Sequence, residues 1–402
     1  MSGETEPVWA EAAPAPRPPL AADAEAEVAV VGAGIGGLAT AWHLAERGIA
    51  ARVVEARTVA AGASGRNGGF LIAGAAPMYN DARRRFGPDL ARRIQRATLD
   101  AQEEIYAAAS VVGAASAFRR VGMLRLAVDE REAEHVREHA AALAEDGFPG
   151  RVVEEGELPE VLRRPGRLGL ATDHDAAMQP VRWLGALARA LEARGVAIHE
   201  GTSVAAPRPL AGGGHELVTA GGPVLRAGVV VVACDGALGT LAPSMGGRVR
   251  SRRLHMVATA PLGWEHVARP VYARYGHEYH QQLPDGRIAL GGFSDLDGES
   301  SYTTQATGSR RVFARLGAYL AEELGVDAPV THRWVGLVGY TADERPVAGP
   351  VPGVPGLYAL GGYCGTGNVC AWLAGRIVAE LVAGGRSADA GLFNPGRPDG
   401  DR

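Results

Sequence analysis

The apolar positions of the chain follow two rhythms. Residues 28–31 read VAVV, a continuous apolar run suited to a parallel strand buried on both faces. From Ile35 the period changes, and Leu38, Ala41, Trp42 and Ala45 recur at helical spacing until Gly48 ends the segment. A second short strand, 52–55, closes on Glu55. Residues 81–110 read as one long helix or as two broken at Gly87 and Pro88, 121–128 as a strand, and 130–145 as a charged helix. An amphipathic helix is predicted over 178–194, starting near Pro180 and ended by Gly195. Strands follow at 196–199, 202–204 and 228–233, and another amphipathic helix at 309–325. Between 248 and 293 short alternating runs are separated by Pro and Gly turns, which predicts a mostly antiparallel sheet. A last strand, 357–361, enters a glycine-rich turn and a helix reaching 383. No internal repeat is visible.

The switch from strand to helix at 31–35 carries chemistry. Gly32, Gly34 and Gly37 fit G-x-G-x-x-G: the first allows the tight turn, the second lets backbone approach a pyrophosphate, the third lets helix and strand pack closely. The helix start aims free N–H groups and a positive dipole end at the phosphates. Glu55 follows about 20 residues later, where a carboxylate accepts bonds from both ribose hydroxyls and repels the 2′-phosphate of NADP. This is the unit that holds the ADP half of FAD or NAD.

Composition narrows the classes. The 402 residues are 47% hydrophobic and 21% charged, enough for a large core and two interleaved domains. A net charge of −4 offers no general attraction to nucleic acid or anionic membrane, and no apolar run spans a bilayer. Residues 1–24, acidic and rich in Ala and Pro, read as a loose tail without a secretion signal. Cys234, Cys364 and Cys370 are too few and scattered for a disulfide framework or zinc site, so a reduced cytoplasm is expected. His135 and His139, four apart on the charged helix, have metal-ligand spacing but sit among Glu and Arg and read as solvated face residues. All 41 basic residues are arginine, which excludes Schiff-base catalysis by lysine.

Glycine-rich strand–turn–helix units stand at both ends of the chain, around an antiparallel insertion. That order is not the serial βαβ arrangement of an NAD dehydrogenase; it suits a flavoprotein whose dinucleotide domain is assembled from the N-terminus, the middle and the C-terminus. Four blocks resemble the D-amino-acid-oxidase-like FAD-dependent oxidoreductases over residues 26–385. They are the glycine unit with Glu55; AGASGRNGGF at 61–70, whose SGRNGG form is similar to the γ-glutamylputrescine oxidoreductase branch; 202–204 with 229–236; and WVGLVGYTADERP at 334–346 with GGYCGTGN at 361–368.

The resemblance implies an α/β fold. A Rossmann-like, glutathione-reductase-like FAD-binding domain would be built from 25–80, 175–245 and 330–388. An α+β antiparallel-sheet substrate domain, 81–174 and 246–329, would be inserted, with a second tail at 389–402. It further implies an FAD site made by Gly32, Gly34, Ile35, Gly36 and Gly37; Glu55, Ala56 and Arg57; Ser64, Gly65, Arg66, Asn67, Gly68 and Gly69; Val204; Ala233, Cys234 and Gly236; and Gly362, Gly365, Thr366, Gly367 and Asn368. The helix after GGYCGTGN would face the flavin N1–C2=O locus, where its dipole stabilises the negative charge of reduction; the plain alternative is a structural turn. Asp343 and Arg345 read as turn residues.

Two departures from the family pattern matter. The arginine that grips a substrate carboxylate in amino-acid-oxidising relatives is replaced by Val338, which favours an amine without a neighbouring carboxylate unless another arginine substitutes. The cysteine or histidine that tethers FAD in some relatives is absent at Gly336 and at Arg66 and Asn67, so non-covalent FAD is expected. On the substrate side, Tyr272, Tyr275, Tyr279 and His280 fall in the antiparallel region. Tyr279 and His280 are the candidate catalytic pair, either holding an amine by cation–π contact or merely packing a sheet. His255, His277 or His280 could accept a proton. The expected reaction moves hydride from the carbon bearing the amine to flavin N5, giving an imine that water hydrolyses. Electrons then pass to O2 or to a carrier. Three alternatives stay open: an oxidase of N-alkyl or D-amino acids, an RNA-modification domain, which the acidic balance disfavours, and a flavin-binding protein without catalysis. The pattern leaves the amine and the oligomeric state open.

Overall fold

The computed structural model describes residues 4–398 and holds two large sheets; strand Val330–Tyr340, from the stretch 330–388 expected in the cofactor domain, pairs in the second. The first is nucleotide-type. Strand Ala24–Val31 lies between Val224–Val232 and Ala51–Val54, in parallel with both; Ala51–Val54 is parallel to Ala197–His199, and Val224–Val232 is also parallel to Leu357–Gly361. Its strands therefore come from the start, middle and end of the chain. Each central strand is apolar on both faces, and Val28, Val30, Val53, Val230 and Val232 are fully buried.

Helix Ile35–Glu46 covers one face of this sheet and packs on helices Pro180–Ala193 and Gly367–Gly384. Trp42, Trp372 and Trp183 fill the junction, with ring centroids 6.5 Å and 5.9 Å apart along the row. Such aromatic contacts favour tilted geometry over flat stacking.

The second sheet runs, in spatial order, Val330–Tyr340, Arg250–Thr259, Ile288–Gly292, Glu278–Gln282, Val271–Ala273, Met123–Leu126, Gly169–Thr172 and Arg151–Val153. It is antiparallel except where Val271–Ala273 lies parallel to Met123–Leu126. Helix Arg310–Glu322 backs it with Val312, Phe313, Leu316 and Leu320.

Most elements lie where periodicity put them. The 81–110 segment resolves into the second of its two readings, helices Tyr79–Phe86 and Pro88–Val111, separated at Gly87 with φ +83°. The predicted strand 202–204 is reduced to one bridge, Val204 with Thr219. Strands His215–Val218 and Val330–Tyr340 were hidden by polar interruptions.

Three expectations are corrected. The first 24 residues are not a loose tail over their described part. Residues 8–20 form a strap in which Val8, Trp9 and Leu20 are buried. Trp9 Nε1 donates to the Asn67 carbonyl at 2.8 Å, and Gln179 donates to the Trp9 carbonyl at 3.0 Å. Arg17 pairs with Glu192 and Glu200, and Glu11 with Arg287. Thr5 exchanges bonds with the Arg333 backbone in the second sheet. Apolar anchors spaced inside a Pro-rich segment defeat a compositional reading. The 389–402 tail is likewise packed at Leu392 and Phe393, both fully buried; residues 1–3 and 399–402 lie outside the described residues.

His139 is the third correction. It is buried rather than solvated, its Nδ1 accepts the Tyr79 N–H at 2.7 Å, and burial pushes its pKa down to about 3. His135 instead meets Asp81. Among the described residues no cluster of three or more His, Cys, Asp or Glu is placed to hold a metal ion.

Candidate active site

The two sheets enclose a cavity of about 600 Å3 that begins at the G-x-G-x-x-G turn and ends among tyrosines of the antiparallel sheet. Its near end is made by backbone. Gly32 sits at φ +110°, and a Cβ on Gly37 would lie 1.9 Å from the Gly32 carbonyl oxygen, so turn and helix touch without room for a side chain. Gly34 faces the Ser64 hydroxyl, which accepts the Ile35 N–H at 3.0 Å; this ties the glycine turn to the 61–70 loop. Glu55 accepts the Ala33 N–H through Oε2 and the Arg57 N–H through Oε1, both at 2.9 Å. Its carboxylate is thereby fixed at the end of its strand with lone pairs remaining.

The distant motifs meet here. Asn67, from SGRNGG, and Asn368, from GTGN, exchange side-chain hydrogen bonds at 3.2 Å and 3.4 Å, and Asn368 also donates to the Phe70 carbonyl at 2.7 Å. Helix Gly367–Gly384 starts at this joint, with Gly365, Thr366, Gly367 and Asn368 on the cavity wall. Asp235 makes the third seam. It is held at φ +45°, and its oxygens accept the N–H groups of Gly339 and Gly362, each at 2.8 Å. Burial raises its pKa, although those amides pull it the other way. Asp235 was missed from sequence. The signal was present as ACDGA at a strand end, since a short acid in a left-handed turn commonly binds backbone amides.

Of the predicted cofactor residues, Gly32, Gly34, Ile35, Gly36, Glu55, Ala56, Arg57, Ser64, Arg66, Asn67, Gly68, Val204, Ala233, Cys234, Gly365, Thr366, Gly367 and Asn368 line this one cavity. Gly37, Gly65, Gly69, Gly236 and Gly362 do not. Each is a packing glycine whose Cβ would strike, in order, the Gly32 carbonyl, the Ala60 carbonyl, Gln281 with the Met178 carbonyl, Ser251 and Thr341.

The far end is made by side chains. Phe70, Tyr272 and Tyr279 form an edge-to-face cluster, with Phe70 centroids 5.2 Å and 5.9 Å from the two tyrosines. The Tyr279 ring has room only because Gly68 and Gly291 lie against it. Val338, Tyr340, Arg252, Leu254, Arg125 and His277 complete the wall. Burial raises the phenol of Tyr272 to about 12 and moves those of Tyr279 and Tyr340 higher still, so all three stay protonated near neutrality.

His280 does not join this wall, which corrects its pairing with Tyr279. Successive residues of strand Glu278–Gln282 face opposite ways. Tyr279 points to the cavity, while His280 is buried on the other side, 6.0 Å from His266 between ring centroids, its pKa pushed down to about 3 by burial. His255 is buried too, and its Nε2 accepts the Ser309 N–H at 2.8 Å. Of the three histidines weighed as proton acceptors, only His277 lines the cavity, and burial lowers its pKa so that the ring is neutral near pH 7.

Comparisons with known proteins agree with this layout. A family profile described as FAD dependent oxidoreductase matches residues 27–381. The chain is similar to a probable oxidoreductase OrdL of Rhizobium meliloti, 28% identical over 94% of this chain and 88% of the other. It is similar also to the gamma-glutamylputrescine oxidoreductase of Escherichia coli, 25% identical over 89% and 84%. Among solved structures, glycine oxidase from Geobacillus kaustophilus superposes with a TM-score of 0.78 at 23% identity, covering 93% of this chain and 99% of that one.

Proposed function

The chain belongs to the FAD-dependent oxidoreductase family, and from that premise we propose that it oxidises an amine, with FAD held non-covalently along the cavity. The observation that carries the reading is the cavity's continuity: one space joins the glycine cradle and Glu55 to a tyrosine-walled pocket over the Asn67–Asn368 joint. The residues fit the cofactor. Gly32 and Gly34 hold the turn too close to the Ala233 carbonyl and the Ser64 hydroxyl for any Cβ and expose its backbone to the cavity, Glu55 presents a fixed carboxylate for the ribose, and a helix N-terminus opens on the joint. When bound, FAD supplies a two-electron acceptor that takes hydride from the carbon bearing the amine, leaving an imine for water to hydrolyse.

The chain's own residues do the rest. Tyr272, Tyr279 and Phe70 exclude water and favour the neutral amine, the form that gives up hydride. His277, neutral and on the wall, accepts a proton. Non-covalent attachment is supported by the two cavity thiols, Cys234 and Cys364. Burial raises the pKa of each to about 12, and an un-ionised thiol is a poor nucleophile. Electrons leave to O2 or a carrier without help from lysine. The three described cysteines are free thiols, which supports a cytoplasmic setting, and among the described residues no helix is long and apolar enough to cross a membrane.

The test is an anaerobic screen of amines against the flavin absorbance, starting with polyamines, their γ-glutamyl derivatives and amino sugars. Bleaching by at least one amine is expected; FAD that no amine reduces would overturn the reading. Reoxidation within seconds of admitting air marks an oxidase, and persistent reduction marks a dehydrogenase. Flavin that stays with acid-precipitated protein would refute non-covalent binding.

A further inference from the structure

The sheet at the aromatic end of the cavity is antiparallel except at one pair of strands, and that pair ends on a buried acid. Strands Met123–Leu126 and Val271–Ala273 run in parallel, with Leu126 opposite Ala273. Two residues further along each chain the ladder has stopped, and the N–H groups of Val128 and Tyr275 have no strand partner. Glu132, from the first turn of helix Glu130–Glu145, takes both: its Oε2 accepts from Val128 at 3.0 Å and its Oε1 from Tyr275 at 2.5 Å. Glu132 is wholly buried and forms no ion pair among the described residues. Burial pushes its pKa up, while the two amides and the charge of Arg125 pull it back. A carboxyl is costly to bury, and what offsets the cost here is a pair of backbone amides from two different strand ends.

The turn that Glu132 holds is strained. Arg274, Tyr275 and Gly276 have φ of +46°, +59° and +84°, and two of the three carry side chains that disfavour the left-handed region. Such a turn persists only where its surroundings fix it. Arg274 is pinned by its guanidinium, which pairs with Glu278 and Asp295. Tyr275 is pinned at its amide by Glu132, and its ring centroid stands 5.6 Å from that of His135 on the same helix. His277 follows, its N–H donating to the Arg274 carbonyl at 2.9 Å. Tyr275, Gly276 and His277 all line the cavity, whereas Glu132 stands behind them and does not.

We infer that Glu132 is a positioning residue: by holding the Tyr275 amide it fixes the 274–276 turn, and through that turn it sets Tyr275 and His277 on the wall that meets the substrate. Its kinetic test rests on the amine-oxidising reading; its exchange test does not.

The exchange test follows backbone amide hydrogen exchange in FAD-loaded protein. In wild type the Tyr275 amide should be protected, although it belongs to no strand. In E132A the 274–277 segment should exchange at least 10-fold faster, with the 32–37 glycine turn unchanged. A Tyr275 amide that exchanges in wild type like an open loop overturns the inference, as does unchanged exchange in the variant. The kinetic test uses putrescine and its γ-glutamyl derivative, with rates expressed per bound flavin. E132A should lower kcat/KM about 10- to 100-fold, and E132Q, which keeps one acceptor oxygen, should recover part of the loss. In a Y275A/H277A background, where the positioned side chains are already gone, E132A should cost no more than about two-fold further. The same loss in both backgrounds, or a loss that only follows missing flavin, sinks the assignment. If E132A does not fold, E132Q and the wild-type exchange carry the test. If no amine reduces the flavin, the proposed function fails, and amide exchange still decides what Glu132 holds.

Discussion

The two ends of the cavity are built from different materials. The nucleotide end is backbone: glycines without room for a Cβ, amides held by Glu55 and Asp235, and helix N-termini. The far end is side chain: a tyrosine cluster, His277, and arginines delivered by neighbouring strands. Backbone recognition tolerates almost no substitution, because each atom of the site is also an atom of the fold. Side chains such as Arg252 and Val338, opposite each other on paired strands and both on the cavity wall, can be exchanged without disturbing a hydrogen bond of the sheet.

The sharpest way to break this contrast is Gly37→Ala. Its Cβ would lie 1.9 Å from the Gly32 carbonyl, and overpacking against backbone should cost about 3 kcal/mol. Purified G37A is expected to carry little FAD and to melt many degrees lower. Stoichiometric flavin and an unchanged Tm would show that the cradle is more yielding than claimed. Next comes Glu55→Gln, which sets an amide NH2 against the Ala33 or Arg57 N–H. FAD affinity should fall about 10- to 100-fold by flavin-fluorescence titration, with the fold intact.

The far end should answer differently, and two adjacent residues test it. Tyr279→Phe keeps the ring and should leave kcat within about three-fold. His280→Ala should leave kcat unchanged but lower stability by about 1–3 kcal/mol, since it opens a hole on the buried side of the strand. A large loss of turnover in H280A with normal stability would reinstate His280 as a catalytic residue.

The smallest effect lies off the cavity wall, at Asp343. Burial raises its carboxyl pKa, but the Arg397 and Arg345 guanidiniums outweigh this and hold it well below the usual range. A depressed folded pKa means stability that is present above the unfolded value of about 4 and lost as pH falls through the folded one. The Tm gap between wild type and D343N should therefore be constant near neutrality and close in acid. A gap that widens in acid would contradict the sign.

What could be read from the chain follows the same division. The cradle was legible because G-x-G-x-x-G, the strand before it and the acid after it are contiguous, and each residue type has one physical reason to be there. SGRNGG and GTGN were legible as motifs, but their joint through Asn67 and Asn368 spans 301 positions and had no local signal. The far end was legible only as a set of aromatics. Strand alternation separates Tyr279 from His280, yet which of the two faces the cavity depends on what covers each side of the sheet. That Arg252, one of 41 arginines, lines the cavity could not be read from the chain, because its partner strand was not predicted. The strap failed for another reason: Val8, Trp9 and Leu20 are isolated anchors in a segment whose composition argues for disorder.

That strap has a thermodynamic consequence. From one short stretch of chain, Thr5 grips the antiparallel sheet at Arg333, Trp9 the loop at Asn67, and Arg17 and Leu20 the nucleotide side at Glu200 and Thr202. Neither half can open by itself without tearing contacts that belong to the other, so heat should melt them as a single cooperative unit. The carbonyl that Trp9 holds belongs to the loop flanking the aromatic end of the cavity, and the escape of a fluorescent flavin should therefore coincide with the calorimetric endotherm instead of preceding it.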